Sequence, residues 1–277
     1  MINEKAGVRG TMLITSKDNP KIKQYCKLAS GRKARAEQGL FVAEGMRNIV
    51  DIAGEAQIEA VFCTEEALEK YGGTLDLDRL SLVAENRRFT VTDEVARKMS
   101  GTETTQGAFA IVRRLDKPFE AGSLSPDGKY LVLDNLQDPG NLGTMIRTSA
   151  AVGLDGVILA GNTVDLYNPK TVRSAMGSMT KVGLFIENDT AAVLGAFGER
   201  GIKTFAAVVR GGRGVSQTDF SGGCAVVIGN EGRGLSDVTA DKCTDRVTIK
   251  MRGDTESLNA ATAATILLWE MSGRDGE

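Results

Sequence analysis

The 277-residue sequence contains no histidine. That absence removes a Ser-His-Asp triad, a Cys-His dyad and any histidine-ligated metal at once. Proton handling falls to Asp, Glu, Lys, Tyr, Cys, solvent or the substrate itself. Cysteine is scarce: Cys26, Cys63, Cys224 and Cys243 lie far apart, with no C-x-x-C pair. A disulfide or zinc framework is therefore not expected, and the expected location is the reducing cytoplasm. No apolar run approaches the ~20 residues of a membrane helix. The first residues, "MINEKAGVRGTML", lack the long apolar stretch of a secretory signal.

Charge of either sign is nearly balanced, at a net −2. Its distribution says more than its sum. Between Lys17 and Arg35 the basic residues Lys17, Lys21, Lys23, Lys27, Arg32, Lys33 and Arg35 face the single acid Asp18. Such a run is either a solvated helix face or an arm that neutralises nucleic-acid phosphates without reading sequence.

What is present is an alternation of strand and helix patterns. The segment 115–129, "LDKPFEAGSLSPDGK", breaks it with prolines, glycines and serines and reads as a linker. The division expected is a basic N-terminal arm at 1–35, a small α/β domain at 36–114, the linker, and a larger α/β domain at 130–277. In the first domain strands are expected at 39–44, 58–63, 80–84 and 107–114, with helices between them and caps at Thr64 and Thr92. In the second, strands are expected at 130–134, 156–160, 182–186, 203–209, 224–229 and 246–251. Helices are expected at 141–152, about 168–179, 190–200 and 257–271. That order argues for a parallel sheet with helical crossovers. Between the last two strands no long amphipathic helix is legible. The stretch "NEGRGLSDVTADKCTD" stands there, and "RGDTE" precedes the final helix. Loops at strand ends are where such folds bind ligands.

Three segments carry the chemistry. In "NLQDPGNLGTMIRTSAAVG", Asn141 is expected to cap a helix, and Arg147 follows six residues on. The loop "GNEGRGLS" combines glycines, which permit close backbone approach, with Glu231. In "IKMRGDTESLNAATAATILLWEM", Ser257 or Thr255 is expected as the cap and Asn259 lies in the first turn. The alanines of that helix fit either core packing or a subunit interface.

Taken together and in order, these segments resemble the SpoU (TrmH) family of RNA ribose 2′-O-methyltransferases. The pattern is "N-x-x-D-P-x-N-x-G-x-x-x-R-T", then "G-N-E-G-x-G-L-S", then "I-x-M-x-G-x-x-x-S-L-N". "FVAEGMRNIVDIA" is similar to the family's ribosomal-protein-like substrate-binding domain, and "VRSAMGSM" also fits. The resemblance implies a C-terminal α/β (trefoil) knot that binds S-adenosylmethionine, and a homodimer with each site at the subunit interface. It implies that Gly229, Ile249, Met251 and Leu258 enclose the cofactor. It also places Arg147 at the catalytic arginine, with Asn141, Glu231, Ser257 and Asn259 at the other motif positions. Arginine is a poor base, with a pKa above about 12, so the expected role of Arg147 is to grip a phosphate and stabilise developing negative charge. The proton acceptor is left open among that phosphate, Glu231 and water. The implied substrate is structured RNA, ribosomal rather than transfer RNA, contacted by the basic residues of 17–35. One departure stands in the third motif, where Lys250 replaces the family's usual proline. Two other readings remain: an RNA-binding protein that keeps the knot without catalysis, and a nucleotide-dependent enzyme. The second lacks the Lys-Ser/Thr of a P-loop.

Overall fold

The computed structural model describes residues 12–71, 77–100, 104–252 and 256–273. They form two compact units, one of residues 1–115 with 167–180, the other of 116–166 with 181–277.

The first unit opens with β1 (Met12–Ile14), α1 (Pro20–Ser30) and α2 (Arg32–Gln38). There follow β2 (Leu40–Glu44), α3 (Met46–Ile52), β3 (Ile58–Cys63), α4 (Glu65–Tyr71), β4 (Arg88–Val91), α5 (Asp93–Ser100) and β5 (Ala108–Arg113). The sheet order is β1-β4-β3-β5-β2, with β5 antiparallel to both neighbours. Thr64 and Thr92 cap their helices as expected, accepting from Ala67 N and Val95 N.

Three expectations change here. No free arm exists over 12–35: β1 pairs with β4, and α1 buries Ile22, Tyr25 and Leu28 in the core. Residues 80–84 are not a strand, because Leu77–Leu82 winds into a 3₁₀ turn that buries Leu80 and leaves Leu82 exposed. Arg35 is buried at 5% exposure, its guanidinium donating to the Leu28 and Ala29 carbonyls. It closes the end of α1 rather than facing solvent.

The second unit begins at β6 (Lys117–Pro118), which pairs with a later strand. The expected linker 115–129 thus carries a strand and a 3₁₀ turn of this unit. Next come β7 (Lys129–Asp134), α6 (Pro139–Ala151) and β8 (Gly156–Ala160). Helix α7 (Pro169–Ala175), shorter than expected, belongs to the first unit, where Arg173 pairs with Glu44 and Tyr167 stacks on Phe41. The chain continues through β9 (Gly183–Glu187), α8 (Thr190–Glu199), β10 (Lys203–Ala207), β11 (Arg213–Gly214), β12 (Cys224–Ile228), α9 (Asp237–Asp241), β13 (Asp245–Thr248) and α10 (Ala260–Met271).

The second sheet runs β11-β13-β10-β12-β7-β8-β9-β6, and its recorded strand pairs are all parallel. Leu131, Val132 and Leu133 are fully buried, as an interior parallel strand covered on both faces requires. From β7 the order runs one way through β8 and β9. It then resumes on the other side of β7 with β12. The order therefore reverses between β7 and β12, and the crevice at that reversal is the favoured ligand position. Among the described residues no helix is long and apolar enough to cross a membrane.

Candidate active site

The loops that leave β7 and β12 meet at the reversal point. Helix α6 starts where Asp138 accepts from Asn141 N at 2.8 Å and Pro139 sits at the first helical position, where its missing N–H costs nothing. Asp138, not Asn141, is thus the cap. That frees the Asn141 amide, whose Nδ2 donates to Glu231 Oε1 at 3.2 Å. Its Oδ1 accepts from Asn259 Nδ2 at 3.1 Å. Asn259 in turn caps α10 through Oδ1, which accepts from Ala261 N and Thr262 N. The expected cap Ser257 is not the cap, and Thr255 lies outside the described residues. One line of side chains therefore ties together the segments after β7, β12 and β13.

Glu231 anchors that line. Its Oε1 also accepts from Asp138 N at 2.8 Å, and Oε2 from Gln137 N at 3.0 Å. Burial pushes its carboxyl up, yet the Asp138 and Gln137 amides and the Asn141 side chain outweigh that and hold it below the ordinary value. It is ionised at neutral pH and already accepts three hydrogen bonds, which makes it a weak base and a strong fastener.

The loop carrying Glu231 folds tightly. Asn230 N donates to Gly234 O at 3.2 Å and Gly234 N to Asn230 O at 2.8 Å, with Gly234 at φ +68°. A Cβ on Gly229 would lie 2.3 Å from the Gly234 carbonyl carbon, so the first residue of this loop must be glycine. Beside it opens a cleft of about 280 Å³. Its lining includes Gly229, Ile249, Met251 and Leu258, together with Glu231 and Ser257. The walls not anticipated from the sequence are Ala207–Val209, Ile228, Val247, Ala260, Ala263 and Leu267. The strand-end rule could have found the first three, since "AAVV" closes the strand expected at 203–209. Ala260 and Ala263 are small where the cleft needs room. Apolar walls, open backbone and the Glu231 carboxylate suit a ligand with an apolar ring system and a cationic centre.

A second, more polar cleft of about 780 Å³ adjoins the first. It is lined by Gln137, Asp138, Asn141, Glu231, Ser257, Leu258, Asn259 and Ala260, and it shares Glu231, Ser257, Leu258 and Ala260 with the first. The structure thus gathers the sequence-derived positions with one exception. Arg147 lines neither cleft. Six residues along α6 turn its side chain roughly 120° from Asn141. It lies on an exposed face with Thr144 and Ala151.

A parallel α/β domain with a glycine-walled cleft at the ends of β10, β12 and β13, opening onto a polar cleft at the strand-order reversal and joined to a small mixed-sheet unit, is the build of an enzyme with an accessory binding module. The chain belongs to the SpoU rRNA methylase family, whose model matches residues 128–269. Residues 19–110 match an MRM3-like substrate binding domain. The chain is 30% identical over 260 residues to the 23S rRNA (guanosine(2553)-2′-O)-methyltransferase RlmP of Bacillus subtilis, covering 94% of this chain and 99% of that one. It is 30% identical to the 23S rRNA (uridine(2479)-2′-O)-methyltransferase of Streptomyces viridochromogenes, covering 93% and 90%. The crystal structure of the AdoMet-bound rRNA methyltransferase from Sinorhizobium meliloti superposes with a TM-score of 0.81 at 27% identity, over 94% of this chain and 96% of that one.

Proposed function

We propose that this chain transfers the methyl group of S-adenosylmethionine to a ribose 2′-OH of ribosomal RNA. The observation that carries the reading is the continuity of the two clefts through Glu231, Ser257, Leu258 and Ala260. A cofactor held between Gly229, Ile249, Met251 and Leu258 would present its reactive end to the polar cleft. When bound, S-adenosylmethionine supplies an electrophilic methyl group on a sulfonium.

In this reading the protein contributes position more than acid–base chemistry. Asn141, Ser257 and Asn259 line the polar cleft as neutral donors and acceptors for a ribose. Glu231 fixes the β12 loop against the start of α6 and so sets the cleft's shape. Three donors already occupy its carboxylate, so the ribose proton leaves to an RNA phosphate or to water. Arg147 grips the phosphate next to the ribose and stabilises the developing alkoxide. Because Arg147 faces away from its own clefts, the reading has a second copy of the chain supply it. The exposed faces of α6 (Thr144, Arg147, Ala151) and α10 (Thr262, Trp269) would form the contact. In the first unit Lys21, Lys23, Lys27, Arg32 and Lys33 would meet RNA phosphates, with Lys17 held in part by Glu94 at 2.6 Å. A cytoplasmic location belongs to the same reading.

The test is transfer of labelled methyl from S-adenosylmethionine to unmodified total RNA, separated into ribosomal and transfer pools. Alkali-resistant label at one site of the ribosomal pool, lost in Arg147→Ala, is the expected result. Label confined to the transfer pool would overturn the substrate, and absence of both label and cofactor binding would overturn the activity. Supply of Arg147 by the second copy is tested by mixing Arg147→Ala with Leu258→Arg, each inactive alone. Recovered activity supports it, and none argues against it.

A further inference from the structure

A third cleft, of about 840 Å³, opens on the other side of the β12 loop, where β7, β8 and β9 end. Its floor is pre-organised. The buried Asp134 carboxylate accepts from Thr190 Oγ1 at 2.6 Å and from Asn135 Nδ2 at 2.9 Å. Asn135 holds a left-handed backbone, φ 59°, while its Oδ1 accepts from Asn162 N at 2.9 Å. The rim differs from the floor. The side chains of Asn162, Asn188 and Arg233 are exposed and have no hydrogen-bond or ion-pair partner among the described residues. Two uncommitted amides and one guanidinium on a rigid floor form a recognition surface with no internal task.

The geometry points to this cleft as a nucleobase pocket for the RNA nucleotide that flanks the methylated one. The inference rests on the RNA methyltransferase reading and adds to it a place where sequence is read. A carboxamide offers a donor and an acceptor side by side, the pattern that pairs with base edges, and single-stranded bases splayed from a loop expose such edges. The guanidinium suits the neighbouring phosphate or the base face. Gln137 lines both this cleft and the polar cleft beside Glu231. A strand of RNA with its ribose in one is thereby led into the other.

The experiment measures steady-state methyl transfer to unmodified total ribosomal RNA at saturating S-adenosylmethionine. It compares the wild type, Asn162→Ala/Asn188→Ala and the distant control Glu199→Gln, and cofactor affinity is taken by calorimetry. The expected result is a KM for RNA raised tenfold or more in the double variant. Its kcat should stay within threefold and its cofactor affinity and melting temperature unchanged, with the control at wild-type values. An unchanged KM in the double variant beside an active wild type would overturn the pocket and leave the parent reading intact. An inactive wild type that binds no cofactor would overturn the parent reading and the pocket with it.

Discussion

Two carboxylates, one in each unit, are held in opposite ways. In the first unit Glu44 accepts from Ser100 Oγ at 2.8 Å and pairs with the Arg173 guanidinium at 3.3 Å. It fastens β2 to α5 and α7 by meeting a cation. In the second unit Glu231 takes two backbone amides and one side-chain amide. A carboxylate neutralised by arginine is spent on architecture. One held by neutral donors keeps its charge while fixing a loop, which a cleft for a cationic ligand can use. The difference separates a unit built to stay folded and present a surface from one built to position atoms.

The largest effect expected from breaking this contrast is catalytic. Glu231→Ala releases the β12 loop from α6, and a displacement of about 1 Å costs on the order of 10²-fold in rate. Methyl transfer per folded molecule should fall by about that factor, beyond any loss of stability seen in the urea midpoint. Glu44→Ala should behave in the reverse manner. Loss of a half-buried charged hydrogen bond costs about 1.5–3 kcal/mol, visible in denaturation, with kcat per folded molecule unchanged. If both variants lost activity equally at equal stability, the contrast would fail.

The pH dependence sharpens the same comparison. Glu231 titrates below its ordinary value in the folded chain, so its contribution is complete above the unfolded pKa of about 4.3. It disappears as the pH falls from there through the lowered folded value. Stability measured by urea at successive pH values should therefore differ between wild type and Glu231→Gln by a constant amount above about pH 5. The difference should shrink at more acid pH. A difference that grew on acidification would reverse the assigned direction.

The strands that flank the site were legible because interior parallel strands are nearly continuous apolar runs, as in "YLVLD" and "CAVVI". Apolar content alone misled at "LSLVA", which has a strand's composition but begins inside a 3₁₀ turn, Leu77–Leu82, that buries only one of its two leucines. The short edge strand β1 and the charged start of β4 carried too little pattern to be seen. At the site the residue types were legible and their local duties were not. Asp138 and Asn141 are both good caps in composition, and the choice between them is made by Glu231, ninety residues away in sequence. The clefts' alanines read as packing because cavity walls and tight helix contacts both call for small side chains. The turn of Arg147 away from Asn141 follows from helical spacing alone, yet it gains meaning only once the clefts have been located.

Arg35 gives the smallest and most discriminating prediction, because its charge reads identically in the sequence and differently in the fold. Lys27 and Arg32 are exposed, with no ion pair among the described residues, whereas the Arg35 guanidinium is consumed by the Leu28 and Ala29 carbonyls. If the exposed pair contacts phosphates, Lys27→Ala/Arg32→Ala should flatten the plot of log affinity for ribosomal RNA against log salt. The slope should change by about 1.4–1.8, since each lost contact releases about 0.7–0.9 counterions. Stability should not change, as exposed lysines and arginines contribute little to it. Arg35→Ala should leave the salt slope within error and instead lower the denaturation midpoint, by exposing two carbonyls at the end of α1 without their donor. The reverse outcome, a salt slope altered by Arg35→Ala and not by the exposed pair, would place the RNA on a different face of the first unit.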